Sequence, residues 1–378
     1  MLELAASLLP RMQRGERVAV VTVTQVARSA PRGLGASMAV TEDGDVIGSI
    51  SGGCVEGDAI LLAHAVLADG EARAARFGFS DDRAHTAGLA CGGEVDVLAY
   101  VLSPDDEIVQ RALAAAARDE RVTLALGLDG QHRGRVADAS VLTRLASTAG
   151  HELADSARHG QTRPIAGGAW LALAHAPRAR LIIVGAGEHA AALCRVAAVS
   201  CFAVTVCDPW PLLVTAERFP DASELVVADP AEYLARLAAD PASTDTRTAV
   251  CVLSHDERVD IPALQAALGM DVGFVGAMGA RSTVAHRALA LRDRGVSDDD
   301  LARLHSPLGL DLGGSTPEET AVAIVAEIIA VGNGRSGTPL RNAAGPIHAH
   351  ALPTPSPSAP GGPDAPVLRS RHCVSYQP

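Results

Sequence analysis

The sequence contains no lysine: all 32 residues in its Lys+Arg total are arginines. This absence excludes a P-loop lysine and a lysine Schiff base. Any phosphate must therefore be met by arginine, by backbone N–H groups or by a helix N-terminus. The seven cysteines are odd in number and include no CxxC pair. This pattern is typical of reduced thiols in a cytoplasmic protein rather than of a disulfide framework.

Long apolar runs and an excess of positive charge are also missing. No segment could span a bilayer, and the amino-terminal residues do not have the layout of a signal peptide, so we expect no membrane partner. A net charge of −12 argues against a nucleic-acid partner. The chain has 378 residues, of which 48% are hydrophobic and 20% charged. These values predict a soluble globular protein of two to three domains.

The pattern of strands and helices changes near residue 177. Before it, helices over 2–13 and 55–67 flank a Val/Thr-rich strand and a hairpin around "EDGD", while the stretch 130–175 has little pattern. After it, apolar strands alternate with helices, which predicts a parallel sheet covered on both faces. We therefore predict an α/β protein with a smaller α+β domain (1–176), a Rossmann-like doubly wound domain (177–333) and a disordered Pro/Gly/Ser-rich tail (334–378).

A dinucleotide-type loop opens the second domain. The string "VGAGEHA" places Gly185, Gly187 and Ala190 between an apolar strand and a helix, and Asp208 ends the next strand. In this context the glycines let the backbone approach a pyrophosphate, and the carboxylate binds a ribose hydroxyl. We predict a nucleotide-binding Rossmann fold. The alternative is a Rossmann scaffold with an empty crevice, in which Asp208 only caps a strand.

Two further strand ends point to the same crevice. His255 and Asp256 follow one strand, and Arg281 follows the next. The first two residues are either a base with its orienting carboxylate or a loop histidine beside a helix N-cap. Glu327 lies in an apolar helix, where it either has a buried partner or faces solvent.

Three glycine-rich loops of the first domain carry reactive side chains. "SGGCVEGD" holds Cys54 and Glu56, "GLACGGEV" holds Cys91, and "SAPRGLGAS" holds Arg32. A cysteine at a helix N-terminus favours the thiolate, which is a soft metal ligand. We predict that the two thiols share one pocket with Arg32. The alternative is that each cysteine is a small buried hydrophobe.

Together these motifs resemble the XdhC/CoxI family, the accessory proteins of xanthine dehydrogenase and related molybdenum hydroxylases. The resemblance rests on "SAPRGLGASM", "GSISGGCVEGD" and "GLACGGEVDVL", and then on "LIIVGAGEHA", "SHDERVD" and "SPLGLDLGGSTPEE". It implies a chaperone that binds the molybdenum cofactor, as molybdopterin or its dinucleotide form. The chaperone would hold the cofactor during sulfuration and pass it to a hydroxylase, with a cysteine desulfurase as partner.

The resemblance implies no catalytic residue, and it places six of the expected cofactor contacts, at Arg32, Cys54, Cys91, Gly185, Gly187 and Asp208. The predicted cofactor-binding residues are Arg32, Cys54, Glu56, Cys91, Gly185, Gly187, Ala190, Asp208, His255, Asp256 and Arg281, with Cys54 and Cys91 as metal ligands. The sequence departs from the family at Trp210, where arginine is common, and this weakens the expectation of a phosphate or ribose contact there.

Two other functions are compatible with the same residues. One is an NAD(P)-dependent oxidoreductase that uses His255 as acid–base, and the other is a persulfide carrier that uses Cys54 or Cys91. The sequence permits a homodimer without requiring one.

Overall fold

The computed structural model describes residues 1–27, 30–78, 94–145, 147–240 and 244–343. The chain divides into two compact units, of which the first runs from Met1 to Pro177 and the second begins at Arg178. A search of the described helices finds none with the length and apolar character needed to cross a membrane.

The first unit begins with helix α1 and an antiparallel sheet. The elements are α1 (Ala5–Gln13), β1 (Val18–Ala27), β2 (Ser37–Thr41), β3 (Val46–Gly48), α2 (Glu56–Asp69), β4 (Arg73–Gly78) and β5 (Glu94–Leu102). The strand order is β3-β2-β1-β5-β4, and β2 and β3 form the predicted hairpin. Helix α2 packs on β1, β2 and β5, so that its apolar side and one face of the sheet form a shared core.

A second antiparallel sheet completes this unit. It follows in the order α3 (Glu107–Ala117), β6 (Val122–Gly127), β7 (Val136–Ala137), α4 (Ala139–Leu145), α5 (Ser147–His159), β8 (Arg163–Ile165) and β9 (Trp170–His175). The strand order is β7-β6-β9-β8. The sequence showed little pattern here because β7 and β8 have only two and three residues. Such short strands give no measurable alternation of apolar and polar residues.

The second unit is a six-stranded parallel sheet with helices on both faces. Its elements are β10 (Arg180–Val184), α6 (Glu188–Val199), β11 (Ala203–Asp208), β12 (Glu224–Val227), α7 (Pro230–Ala238), β13 (Ala249–Val252), α8 (Glu257–Leu268), β14 (Phe274–Ala277), α9 (Arg281–Asp293), α10 (Asp298–Leu301), β15 (Leu304–His305) and α11 (Pro317–Gly332). The strand order β12-β11-β10-β13-β14-β15 is that of dinucleotide-binding Rossmann folds. The predicted fold class is therefore confirmed.

Apolar strands at the centre of this sheet explain its two-sided cover. All four residues of β13 are buried, because α6 and α11 pack together on one side and α7 and α8 on the other. Helix α11 begins with a capping box between Thr316 and Glu319. Of the predicted tail (334–378), residues 344–378 lie outside the described residues.

Candidate functional site

The glycine loop between β10 and α6 closes tightly against the neighbouring strand end. Gly185 has a φ of +102°, and a Cβ there would lie 2.9 Å from the backbone N and Cα atoms of Ser254. Its N–H donates to the carbonyl of Cys207 at 2.9 Å. Only glycine combines this backbone conformation with this approach.

The other two motif positions have different roles. Gly187 is the N-cap of α6 with an ordinary φ of −81°, and among the described residues no side chain caps this helix. No described heavy atom lies within 4 Å of the position that a Cβ of Gly187 would take. Ala190 is buried in the core beneath the loop. The backbone at the start of α6 is thus open to a ligand, while Ala190 supports the helix from below.

Asp208 ends β11 and turns its carboxylate toward the glycine loop. The side chain is buried, with Oδ2 accepting from the Ala186 N–H at 3.0 Å and Oδ1 accepting from the Trp210 N–H at 2.9 Å. These two bonds fix the carboxylate against both loops. Each oxygen can accept a further hydrogen bond, so a ribose hydroxyl remains a suitable partner.

A cavity of about 380 Å³ opens where these loops meet. Its walls include Gly187, His189, Asp208, Trp210 and His255. It lies outside the carboxyl ends of β10, β11 and β13, at the point where the strand order reverses, which is the position where open α/β sheets bind ligands. The volume falls in the range of small-molecule sites, about 300–1,000 Å³.

The residues after β13 follow the capping interpretation. Asp256 is the N-cap of α8 and accepts from the Arg258 N–H at 3.0 Å, and both of its oxygens also bond the Arg258 guanidinium. The hydrogen bonds from Arg258 lower the pKa of Asp256. His255 is exposed and has a left-handed φ of +63°. The Asp256 carboxylate is therefore engaged by the helix start and by Arg258.

A buried carboxylate supports the same segment. Asp260 accepts from the Ser254 hydroxyl at 2.5 Å, and burial raises the pKa of Asp260. This bond holds the backbone on which Gly185 packs, so it positions the glycine loop from behind.

Arg281 lies at a different cavity of the second unit. It is the first residue of α9, and with Gly279, Pro307, Gly309 and Asp311 it lines a space of about 330 Å³. Arg281 is not among the described residues that wall the Asp208 cavity. The structure thus separates Arg281 from the other predicted residues of this unit.

His305 pairs with Glu327, a contact that the sequence did not reveal. Its Nδ1 lies 2.9 Å from Oε1 of Glu327, whose Oε2 accepts from the Gly309 N–H at 2.7 Å. Burial opposes ionisation of Glu327, but the bonds from His305 and Gly309 outweigh it and lower the pKa of Glu327. The His305 ring stacks on Phe274 with centroids 4.3 Å apart. The pair joins β15, the following loop and α11. The only indication of this pair in the sequence was a polar residue, Glu327, within an apolar helix.

In the first unit, the loop before α2 is organised around Glu56. The carboxylate accepts from the hydroxyls of Ser49 at 2.6 Å and Ser51 at 2.5 Å. It also accepts from the backbone N–H groups of Ser51, Gly52, Gly53 and Val55 at 2.9–3.1 Å. Burial opposes ionisation, but the hydrogen bonds from Ser49 and Ser51 outweigh it and lower the pKa of Glu56 to about 2. The glycine turn therefore cradles an anion, and that anion is its own side chain.

Cys54 lies on this loop, two residues before α2. It is half-buried, packs at the edge of the core under α2, and donates its backbone N–H to the Ser51 hydroxyl at 2.9 Å. Cys91 lies outside the described residues, so the shared thiol site stays a prediction. In the described ranges, no three His, Cys, Asp or Glu side chains are grouped to hold a metal.

Arg32 lines a third cavity, of about 270 Å³, together with Gly33, Gly35 and Thr162. Its guanidinium donates to Glu3 at 2.5 Å. Cys54 is not among the described residues that wall this space. The structure thus places Arg32 and Cys54 on separate loops, and the cavity that Arg32 lines does not include Cys54 among the described residues.

The thiols within the Rossmann core differ from Cys54. Burial raises the pKa of Cys194 to about 11 and that of Cys207 to about 12. Both side chains pack in the apolar layers of the sheet. They are small core residues rather than reactive thiols.

Comparison with known proteins covers both units. The model described as the XdhC and CoxI family matches residues 12–78, and the model described as the XdhC Rossmann domain matches residues 181–328. A solved structure from Bacillus halodurans, described as a xanthine dehydrogenase, superposes with a TM-score of 0.67 at 24% identity, over 88% of this chain and 96% of that one. At this identity the likeness shows the fold.

Three relatives match at the level of sequence. The molybdenum cofactor insertion chaperone PaoD of Escherichia coli is 26% identical over 85% of this chain and 85% of PaoD. A probable xanthine dehydrogenase subunit of Bacillus subtilis is 28% identical over 83% of this chain and 93% of that protein. The uncharacterized protein YqeB of Escherichia coli is 31% identical over 43% of this chain, and the match spans only 29% of YqeB. With both units matched by models of one family, the chain belongs to the XdhC and CoxI family.

Proposed function

We propose that this protein is a molybdenum cofactor chaperone that binds the cofactor and inserts it into a molybdenum hydroxylase. The observation that carries the proposal is the cavity at the start of α6, where open backbone at Gly187 faces the Asp208 carboxylate. This arrangement suits the phosphate and ribose of a nucleotide-bearing cargo. A relative that aligns over most of the chain is named as a molybdenum cofactor insertion chaperone.

The first unit has a separate role in the proposal. Cys54 lies on a rigid, glycine-rich loop, and its half-buried thiol suits contact with a sulfur-rich metal centre. Glu56 acts by shaping the loop, since its oxygens are engaged by the loop itself. We include Cys91 as the second thiol, and a cysteine desulfurase as the donor of the cofactor's terminal sulfur. Two cytoplasmic partners, the desulfurase and the apo-hydroxylase, are thus expected.

The oxidoreductase alternative gains no support from the geometry. It requires an acid–base pair beside the nucleotide. Asp256 caps α8 and bonds Arg258, so it does not orient His255.

The test is reconstitution of an apo-hydroxylase with cofactor that the purified protein has bound. We expect the wild type to retain the pterin and restore activity. Cys54→Ala should retain it but transfer less than about a tenth as much active cofactor. The buried Cys194→Ala is the matched control and should transfer normally, provided that it folds. A wild type that retains no pterin would remove the proposal, and full transfer by a Cys54→Ala/Cys91→Ala double variant would remove the thiol role.

A further inference from the structure

Trp210 is unusually open for an indole and lies at the mouth of the Asp208 cavity. Its exposed fraction is 68%, whereas the other tryptophan, Trp170, is 4% exposed in the first unit. Nearby Leu212 is 87% exposed. Large aromatic side chains gain free energy when they are buried. One that is left exposed to water therefore often marks a binding surface, where a ligand or partner covers it.

The backbone of Trp210 is tied to the group predicted to bind ribose. Its N–H donates to Oδ1 of Asp208 at 2.9 Å, and both residues wall the same cavity. This hydrogen bond fixes the backbone of Trp210, and so the attachment point of the indole, beside the Asp208 carboxylate. A ribose held by Asp208 would carry its base on this side of the crevice, where the indole offers a flat apolar face.

The charges around the cavity limit what the ribose can carry. Its lining includes three acidic residues, of which Glu188 pairs with Arg218 at 3.5 Å and Asp256 with Arg258 at 2.8 Å. The third, Asp208, accepts from backbone N–H groups. Neither arginine nor lysine is among its described lining residues. A 2′-phosphate would thus meet a carboxylate rather than the arginine that such a group needs.

We infer that this crevice selects a nucleoside diphosphate whose ribose has an unmodified 2′-hydroxyl, and that the Trp210 indole covers its base. The inference deepens the proposed function and rests on its assignment of this cavity to the nucleotide end of the cargo. Trp210 then contributes to affinity without selecting a particular base, because every base presents a flat face to an aromatic ring.

The probes for the test are ADP-ribose and 2′-phospho-ADP-ribose, which differ only in the 2′ substituent. In calorimetric titrations of the full chain, we expect ADP-ribose to bind at least about tenfold more tightly than the 2′-phosphorylated probe, because Asp208 repels the added charge. Trp210→Ala should weaken ADP-ribose binding about tenfold, and Trp210→Phe should lose much less because it keeps a ring. Asp208→Asn should reduce the preference against the 2′-phosphate.

Tryptophan fluorescence gives an independent readout, because Trp170 is buried and Trp210 is exposed. ADP-ribose should quench the exposed component of the wild type and protect it from iodide. The Trp210→Ala variant should show the remaining Trp170 emission without either effect, and its unchanged far-ultraviolet spectrum serves as the folding control.

Three outcomes would overturn the inference: no binding of ADP-ribose by the wild type, equal binding of the two probes, or unchanged affinity in Trp210→Ala. Unchanged affinity together with reduced transfer to the apo-hydroxylase would instead identify the Trp210 surface as a protein contact. The two proposals fail separately. Cofactor transfer without ADP-ribose binding would sink only this inference, whereas ADP-ribose binding without pterin retention would sink only the chaperone function.

Discussion

The glycine turn before α2 in the first unit and the glycine turn before α6 in the second use their backbone N–H groups differently. In the first, the loop N–H groups are taken by the side chain of Glu56. In the second, Asp208 from the next strand takes the N–H of Ala186, and the start of α6 is left open at Gly187. A glycine-rich helix start is therefore a place for an anion, and the sequence alone does not tell whether that anion is a ligand or the protein's own carboxylate.

The comparison also separates two kinds of glycine. Gly52 and Gly53 have φ values of +81° and +119°, yet no described heavy atom lies within 4 Å of a Cβ at either. They are needed for the path of the chain around Glu56. Gly185 is needed for its left-handed φ and for its close approach to the backbone of Ser254, which follows β13. Gly187 has an ordinary backbone conformation and leaves space for another molecule.

The largest effect on stability is expected at the second turn, where the single variants Gly185→Ala and Gly187→Ala are compared. A Cβ added at position 185 would meet backbone atoms of Ser254 at 2.9 Å in a left-handed conformation, so we expect a loss of about 2–4 kcal/mol of unfolding free energy. The added methyl at position 187 should cost less than about 1 kcal/mol but weaken ADP-ribose binding. Urea denaturation and calorimetry measure the two quantities. Equal stability of both variants would contradict the division of roles between these glycines.

A smaller effect is expected at the first turn, from Glu56→Gln. The amide turns an NH₂ group toward N–H donors, so we expect a loss of about 1–2 kcal/mol after allowing for solvent screening of this half-buried carboxylate. Because folding lowers the pKa of Glu56 from 4.5 to about 2, its contribution is complete above pH 4.5 and disappears as the pH falls toward 2. Urea denaturation across this range measures the effect.

The control for this turn is Glu120→Gln, which removes a carboxylate from an exposed pair with Arg118 and should leave the unfolding free energy nearly unchanged. The difference in stability between wild type and Glu56→Gln should shrink as the pH is lowered from 4.5 to 2. A difference that is constant with pH would show that Glu56 does not serve as the internal anion.

The smallest effect concerns α8, which begins at the same edge of the sheet as α6 but has a side-chain cap. Asp256→Ala should lower the unfolding free energy slightly, and Asp256→Asn should lower it even less, because asparagine is an equally good N-cap. Both variants should transfer cofactor as well as the wild type does. Loss of transfer in Asp256→Asn with unchanged stability would indicate that the carboxylate acts on a ligand after all.

The features that sequence reasoning predicted are those that lie within a short stretch of chain. The strand–turn–helix motif at Gly185 is fixed by neighbours a few residues away, and it is confirmed. The pairing of His305 with Glu327 depends on how an edge strand and the last helix pack together. Such contacts arise from tertiary structure, which spacing does not encode.

The same reason explains the loop before α2. The motif predicted a thiol and a carboxylate at a helix start, and both are there, but the direction of the Glu56 side chain was beyond the sequence. A glutamate three residues after Gly53 can turn outward to a ligand or back over the turn. The serines at 49 and 51 decide this, because their hydroxyls hold the carboxylate inward.

The packing of α6 against α11 sets an order of events during synthesis. Helix α6, which follows the glycine loop, emerges from the ribosome before its partner on the same face of the sheet, α11, which ends only at Gly332. Until then, the apolar side of α6 is covered only in part, and the Glu327 carboxylate has not yet met His305. The packing around α6 can therefore be completed only after the whole stretch from α6 to α11 has been added, and we expect a nascent chain to capture cargo only once its second unit is whole.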